Sequence, residues 1–482
     1  MRSSESKIRV PIGLVRDSNA EKIARQGEGW GNFADFKDYP HLKMWDRTHV
    51  ENRIGLRYRS FGFPISRTNV NRLLVKTVAS TACVLAAILV AAIGRMPTSA
   101  VSETVKSAPL DIEIQPAAQP DPATGYVVAP YLQYPTRTGV TIMCETVEPT
   151  TCSINYGLTV PGTLAAVDDR SNTMHEIRLE KLVPKTRYLY QVTCTTKDGK
   201  ALPSKVLSFF TAPDRDDAWS FTIIGDTQKN PKVTGELAAL MWDRRPNFVL
   251  HCGDVVDEGP DKREWTDELF KPCRELFGRV AVFPCIGNHE KNHEHYYQYF
   301  SLPKPEYYYS FTYGNAEFFS LDTNKFVGPG SEQFKWLDRA LTASTATWKF
   351  CFHHHPAYSS DSDDWGDSFK ISPTPDGDPN AKSLIALYEK HNVDVVFNGH
   401  IHVYERTWPI RNGKVDQKNG VHYITSGGGG GSLEDFSPTP AFFKAEHRSD
   451  FHYCYVAVHQ NAFRFKAFDR QGRLFDQFEL KK

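Results

Sequence analysis

The sequence predicts an α/β layered domain that follows a small all-β sandwich and one membrane-spanning helix. Three observations lead to this prediction. An uncharged stretch of 18 residues runs from Thr77 to Gly94, strand-length runs fill residues 126–213, and apolar runs alternate with helical stretches from Ser220 onward. Basic and acidic residues each number 57, so the formal net charge is zero and nothing favours nucleic acid as a partner.

The uncharged stretch, "TVASTACVLAAILVAAIG", is bracketed by Lys76 and Arg95. A core helix normally keeps one polar face and this stretch has none, so we predict a transmembrane signal-anchor helix over residues 73–95. Basic residues dominate the preceding flank, which places the N-terminus in the cytoplasm and the rest outside, periplasmic or extracellular. Residues 1–72 are then a weakly ordered cytoplasmic tail, and residues 96–124 are a spacer. The alternative is a secreted protein cleaved near "TSA" at 98–100.

Residues 125–213 contain short alternating runs rich in β-branched and aromatic residues. They read "GVTIMCETV", "CSINYG", "HEIRLEKL", "TRYLYQVTCTT" and "KVLSFFTAP". This spacing favours a small antiparallel sandwich, and the Tyr-rich strand after "LVPKT" resembles the immunoglobulin/fibronectin type III fold. Of the nine cysteines, eight lie after residue 100, which allows disulfides in an exported domain; the pairing stays open.

Residues 218–482 alternate buried-strand runs with helical segments, which is typical of an α/β domain. The runs are "FTIIGD", "NFVLHCGD", "VAVFPCIGN", "EFFSLD", "KFCFHH" and "VDVVFNGH". In "SEQFKWLDRALTAS", Ser331 is predicted to cap a helix, and Phe334, Leu337 and Leu341 share one helical face.

Polar side chains follow five of these strands: Asp226, Asp254, Asn288 with His289, the triplet His353, His354 and His355, and His400 with His402. A single such residue is usually a cap or a turn former. Five endings drawn from Asp, Asn and His favour a metal site, because ligands bind at the carboxyl ends of strands in open α/β sheets. Mixed oxygen and nitrogen ligands suit Zn, Fe or Mn, and two ions about 3.5–4 Å apart would clamp a phosphoryl group.

The sequence blocks that contain these residues resemble those of a known superfamily. "GD" at 225 and 253, "GNHE" at 287, the His before "HP" at 354 and "GHIH" at 399 resemble, in order, the five blocks of the calcineurin-like metallophosphoesterase superfamily. The preceding sandwich, "GHIHVYER" and "GVHYITSGGGGG" are similar to the purple acid phosphatase branch. The resemblance covers about residues 124–482 and implies a four-layer α/β/β/α sandwich.

The resemblance also implies roles. Asp226 and His402 would bind a first metal, Asp254 would bridge, and Asn288, His354 and His400 would bind a second. His289 would act beside the phosphate as general acid or charge stabiliser. The implied cofactors are two metal ions, Fe, Zn or Mn, and the implied chemistry is hydrolysis of a phosphate ester by a hydroxide that these ions hold.

Three positions depart from the family pattern. Asp257 stands where purple enzymes carry a tyrosine, so we expect a protein without the purple colour; Gln228 stands where the superfamily usually has a histidine. Both are additional candidates for the first metal. "DSDD" at 361–364 replaces a histidine pair that contacts substrate in the family.

Two further sequence features have no place in the implied set of metal ligands. The "GGGGG" run at 427–431 lacks the lysine of a phosphate loop and is predicted to be a flexible turn near the site. The other histidines near the blocks are expected at the surface or behind the ligands: His251, His293, His295, His353 and His355.

The leading hypothesis is therefore an anchored, acid phosphatase-like phosphomonoesterase that acts outside the cytoplasm. A phosphodiesterase acting on nucleotides or lipid headgroups is one alternative. A non-catalytic anchored binding module with a vestigial metal site is the other, and it should have lost several ligands.

Overall fold

The computed structural model describes residues 125–482, apart from 160, 163, 362–375 and 439–440. The predicted tail (1–72), signal-anchor helix (73–95) and spacer (96–124) lie outside the described residues, as do three residues of "DSDD". In the described part of the chain, no helix combines the length and apolar character that crossing a membrane needs.

The N-terminal part is a six-stranded antiparallel sheet. Its strands are β1 (Tyr126–Gln133), β2 (Val140–Gly157), β3 (Leu164–Leu179), β4 (Arg187–Thr196), β5 (Ala201–Pro203) and β6 (Leu207–Phe210). The runs "GVTIMCETV" and "CSINYG", predicted as two strands, are one strand, β2. The pairing of β2 with β3 shifts between Glu145 and Thr150. Such an irregularity accommodates Pro149 without ending the strand.

Hydrogen bonds join this sheet to the α/β part. The Tyr131 hydroxyl donates to the Tyr299 carbonyl oxygen at 2.8 Å, and the Tyr190 hydroxyl donates to the Gly278 carbonyl oxygen at 2.7 Å. The Tyr299 hydroxyl in turn donates to Glu145 Oε2 at 2.7 Å. These buried tyrosines satisfy their hydroxyls only across the junction, so the two parts pack as neighbours with a fixed contact.

The α/β part contains two larger sheets. One holds parallel strands β7 (Ala218–Ile224), β8 (Phe248–His251) and β9 (Ala281–Pro284), extended by antiparallel β19 (His452–His459), β20 (Ala462–Asp469) and β21 (Leu474–Lys481). The other has the order β10 (Tyr309–Tyr313), β11 (Ala316–Ser320), β12 (Trp348–Phe352), β13 (Val395–Asn398), β17 (His422–Ser426), β14 (Tyr404–Thr407) and β18 (Lys444–Arg448). Between β14 and β17, β15 (Ile410–Arg411) and β16 (Lys414–Val415) form a hairpin.

Seven α-helices are assigned in the described residues of this part. They are α1 (Pro231–Asp243), α2 (Lys262–Glu264), α3 (Lys271–Phe277), α4 (Glu294–Tyr299), α5 (Glu332–Ala343), α6 (Pro379–Lys382) and α7 (Ile385–Lys390), with a π-helical segment, Trp265–Phe270, between α2 and α3. The predicted cap of α5 is confirmed, since Ser331 Oγ accepts from the Phe334 N–H at 3.1 Å. Leu337 and Leu341 of this helix are buried.

A layer of phenylalanines fills the space between the two sheets. Phe221 packs on Phe318 with ring centroids 5.3 Å apart, and Phe283 stacks on Phe311 at 3.8 Å. On the other side of the second sheet, residues such as Phe319 join a separate core with helical residues of α5 and α7. The predicted α/β class and the β-rich N-terminal region are therefore confirmed.

One buried histidine between the sheets makes stability sensitive to acid. His422 of β17 stacks on Phe478 of β21 at 4.9 Å, and burial, aided by the Arg406 charge, lowers the pKa of His422 to about 4. The unfolded chain binds a proton below its ordinary pKa of about 6.5, so this stabilisation is complete above pH 6.5 and is lost as the pH falls towards 4.

We therefore expect His422→Leu to flatten the acid side of the stability profile. When the pH is lowered from 7.5 to 4.5, the free energy of unfolding of the metal-free wild type should fall by about 2–3 kcal/mol more than that of the metal-free variant. Urea unfolding of both proteins at several pH values measures this difference. Parallel pH profiles would show that His422 is not held neutral by the fold.

Candidate metal centre

Loops after five parallel strands bring the predicted polar residues to one place. Asp226 follows β7, Asp254 follows β8, Asn288 follows β9, His354 follows β12 and His400 follows β13. The first two loops are joined because the Asp226 N–H donates to the Gly253 carbonyl oxygen and the Thr227 N–H donates to the Asp254 carbonyl oxygen, both at 3.0 Å.

Three of these residues have strained backbones. Asp226, Asp254 and His400 have φ angles of +60°, +51° and +73°. Such conformations are uncommon for residues other than glycine and concentrate at functional sites, where the surrounding structure enforces them. Here the strain turns each side chain back towards the junction of the two sheets' strand ends.

Asp254 lies at the centre of the site and is almost fully buried. Its Oδ2 is 3.1 Å from His354 Nε2, and its Oδ1 accepts the His289 N–H at 2.9 Å. Although burial opposes ionisation, the neighbouring His354 lowers the pKa of the Asp254 carboxyl below its ordinary value. The Asp254 carboxylate is therefore held as an anion that faces its neighbours.

Asn288, His354 and His400 point their ligand atoms at one another. Asn288 Oδ1 is 3.0 Å from both His354 Nε2 and His400 Nδ1, and the two nitrogens are 3.3 Å apart. His354 Nδ1 lies 2.8 Å from the Cys252 carbonyl oxygen, which fixes that ring and leaves Nε2 facing inward. Three inward-facing atoms of this kind suit a shared cation.

Asp226 and His402 form the neighbouring group. Asp226 Oδ1 accepts the His400 N–H at 2.9 Å and lies 3.7 Å from His402 Nε2. Burial raises the pKa of Asp226 well above its ordinary value, a shift that His354 opposes and the Asp254 charge increases. A cation would relieve this repulsion between two buried carboxylates.

Gln228 joins this group, whereas Asp257 faces elsewhere. Gln228 is buried, its Nε2 is 3.2 Å from His402 Nε2, and its Oε1 has no hydrogen-bond partner among the described residues. The Asp257 carboxylate contacts Lys229 Nζ at 3.1 Å and His289 Nδ1 at 3.0 Å. Among its described contacts, the Asp257 carboxylate therefore meets His289, the predicted general acid, rather than a proposed metal ligand.

His289 is oriented by this contact. Its Nδ1 lies 2.6 Å from the Asp257 carbonyl oxygen, and its half-buried ring places Nε2 3.9 Å from Asp254 Oδ2. With Nδ1–H donating to Asp257, Nε2 is the atom left to face a ligand beside Asp254.

The family described as calcineurin-like phosphoesterase matches residues 220–404, a span that contains every candidate residue above. This match confirms the resemblance to the calcineurin-like metallophosphoesterase superfamily. The resemblance to the purple acid phosphatase-like branch is confirmed by the relatives described next.

Among curated relatives, acid phosphatase type 7 of Danio rerio is 27% identical over 349 residues, 64% of this chain and 77% of that protein. The Homo sapiens protein of the same name is 26% identical over 65% of this chain and 80% of its own length. Probable inactive purple acid phosphatase 27 of Arabidopsis thaliana is 25% identical over 63% of this chain, and the alignment spans only 55% of the plant protein.

Solved structures share the fold. Purple acid phosphatase PPD1 from yellow lupin (Lupinus luteus) superposes with a TM-score of 0.64 at 18% identity, covering 73% of this chain and 74% of the lupin chain. PhoD superposes with a TM-score of 0.57 at 14% identity, covering 74% and 94%. At these identities, the likeness concerns the fold alone.

Glu290, the last residue of the metallophosphoesterase "GNHE" block, has a structural role that the sequence did not indicate. Its carboxylate accepts from the backbone N–H groups of Asp254 at 3.1 Å, Val255 at 2.7 Å and Gly287 at 2.5 Å. Burial, together with the Asp254 charge, raises the pKa of Glu290 to about 7. Glu290 therefore holds the loop that presents Asp254, a function that no spacing pattern could reveal.

The glycine run at 427–431 was predicted to be a flexible turn near the site; it lies near the site, and all five of its residues are buried. A Cβ on Gly427 would lie 2.1 Å from the Ile401 carbonyl oxygen, and one on Gly431 would lie 2.6 Å from His402 Cε1. The run is glycine because the backbone passes directly against His402 and the loop that carries it.

Gly431→Ala should consequently move the His402 ring. We expect metal bound in the Asp226–His402 group to weaken about 10–100-fold, the effect typical of disturbing a ligand's support. Gly235→Ala in α1 is the matched control, since its nearest neighbour would be 3.5 Å away. Zinc titration of the metal-free proteins measures the difference, and equal affinities in the two variants would contradict the packing argument.

Proposed function

We propose that this chain is a metal-dependent phosphoric ester hydrolase, acid phosphatase-like, that uses a dinuclear centre. The match to the calcineurin-like phosphoesterase family supports a metal-dependent phosphoesterase. In the proposed centre, Asp226, His402 and Gln228 would hold one ion, Asn288, His354 and His400 would hold the other, and Asp254 would serve both.

The convergence of Asp226, Asp254 and His354 is the single observation that carries this proposal. One ligand atom from each lies within 4.8 Å of the other two, and all three residues are buried. Asp254 thus lies next to one member of each predicted group, Asp226 and His354, which supports a bridging role. Desolvation and like-charge repulsion both oppose two buried carboxylates in such proximity, and a cation would offset both effects.

The nitrogen donors also suit a metal. Burial lowers the pKa of both His400 and His402, so these rings are neutral, as a ligating imidazole must be. The buried Gln228 Oε1, without a hydrogen-bond partner in the described part of the chain, offers a further oxygen. A mixed set of carboxylate, amide and imidazole donors fits Zn, Fe or Mn.

The protein's own part in the reaction centres on His289. When bound, the two ions would polarise the attacking water and offset charge on the phosphoryl group. In the proposed reaction, His289 Nε2 would donate a proton to the leaving oxygen. Asp257 accepts from Nδ1 and offsets the positive charge of the protonated ring, and Lys229 holds the Asp257 carboxylate in turn.

Hydrolysis of an aryl phosphate and a bis-aryl phosphate by the full-length chain, with Mn, Zn or Fe supplied, tests the proposal. We expect turnover of the monoester to exceed that of the diester. The opposite order would favour the phosphodiesterase alternative. Metal binding without turnover of either ester would favour the non-catalytic module, the alternative suggested by relatives named as probably inactive.

We also propose that the described part of the chain lies outside the cytoplasm, anchored by residues 73–95. The disulfide between Cys152 and Cys194, directly paired residues of β2 and β4, supports this location because such bonds persist in oxidising compartments. Thiol labelling in intact cells should leave both cysteines unmodified until a reductant is added. Free Cys152 and Cys194 thiols in the native protein would contradict this placement.

A further inference from the structure

A third histidine adjoins the proposed second metal position. His355, the residue after His354, is 1% exposed, and the family pattern gave it no role. Its ring centroid is 4.3 Å from that of His400 and 5.0 Å from that of His354. One ligand atom of each of these three histidines lies within 4.8 Å of the other two.

Thr323 fixes the orientation of the His355 ring. Thr323 Oγ1 lies 2.8 Å from His355 Nδ1 and also accepts the His355 backbone N–H at 3.2 Å. With Nδ1–H donating to this hydroxyl, Nε2 carries the lone pair. His355 Nε2 is buried and has no hydrogen-bond partner among the described residues.

The competing explanation is that His355 is buried only because its ring packs against neighbouring residues. His353 is an example of a histidine in such a packing role. His353 is also buried with an Nε2 that lacks a partner in the described residues. Its ring, however, stacks on Tyr388, 6.2 Å away, and its Nδ1 lies 3.0 Å from Asn398 Nδ2. His353 therefore packs against α7, whereas the ring of His355 lies beside His400.

We propose that His355 is an additional nitrogen ligand of the second metal, beside Asn288, His354 and His400. This inference rests on the proposed function, since it assumes that a metal binds there. A third imidazole makes the second position richer in nitrogen than the first. It would therefore favour Zn, Fe or another borderline ion over Mg and Ca, which prefer oxygen.

Zinc titration against a competing chelator tests the assignment with the full-length, metal-free chain. We expect the wild type to bind two zinc ions and His355→Ala to weaken one of them at least about tenfold, as losing even an outer-shell partner can do. His353→Asn is the matched control and should keep both affinities. Thermal unfolding of the metal-free proteins identifies any variant that has failed to fold.

A measurement on the wild type keeps the test decisive if a variant fails to fold. Each coordinated imidazole retains one exchangeable N–H on its other nitrogen, and bound Co²⁺ shifts that proton strongly. With His354, His355, His400 and His402 as ligands, the Co²⁺-loaded chain should show four such signals.

Three signals, together with unchanged zinc affinities in His355→Ala, would overturn the His355 assignment and leave the proposed function intact. A wild-type chain that binds no metal would overturn both.

Discussion

Asp254→Asn should impair turnover severely and remove at least one metal ion per chain. The substitution keeps the shape of the side chain but removes the charge that the two ligand groups share. Asp254 Oδ2 is 3.1 Å from His354 Nε2, and the residue belongs to the buried group with Asp226. We expect kcat/KM to fall by more than about 100-fold, the upper end of what loss of an outer-shell partner costs.

Elemental analysis and aryl phosphate hydrolysis of the same samples measure the effect of Asp254→Asn. Asp322→Asn is a suitable control, because Asp322 is another buried aspartate after a strand, but its carboxylate contacts Asn324 and Lys325 instead. The Asp322 variant should keep its metal content. An Asp254 variant with two ions and near-normal turnover would show that this carboxylate does not bridge.

His289→Asn should lower kcat by about 10²–10⁴-fold, the usual contribution of a general acid, while the metal content stays unchanged. His289 contacts Asp257 through Nδ1. It meets the proposed ligand Asp254 through its backbone N–H at 2.9 Å, which the substitution retains, and its Nε2 lies 3.9 Å from the Asp254 carboxylate. Loss of a proton donor matters most for poor leaving groups. We therefore expect a larger defect on an alkyl phosphate than on an activated aryl phosphate.

A series of esters with increasingly basic leaving groups, assayed with wild type and His289→Asn, measures this dependence. His295→Asn serves as the control because His295 lies in α4 and pairs with Gln298. An equal loss on every ester would assign His289 to charge stabilisation instead of proton donation. An unchanged kcat would remove His289 from the reaction.

The sequence was most informative where chemistry and topology coincide. Parallel strands end at a common edge, so residues such as Asp226 and Asp254 could be expected near each other before any coordinates. The structure brings the predicted residues within contact, and Gln228 joins them; their binding of metal stays a prediction. The α5 cap at Ser331 could be foreseen for a similar reason, since it depends on local spacing alone.

Other features depend on contacts between distant segments and leave no local pattern. Glu290 acts through backbone N–H groups of another loop, and His355 differs from His353 only in which neighbour its ring meets. The glycine run was predicted to be a flexible turn because amino-acid composition alone does not show whether a segment is buried. The two runs within β2 were predicted to be separate strands because the segment between them contains Pro149, a residue common in turns. In the structure, β2 runs on past this proline and pairs with β4 from Thr150 onward.

The number of metal ions per chain tests the central claim most directly. Elemental analysis of the purified full-length protein, combined with aryl phosphate hydrolysis before and after chelation, should find two ions per chain. Turnover should disappear on chelation and return when metal is restored. A chain that hydrolyses the ester equally well after complete removal of metal, or that takes up no metal at all, would contradict the account.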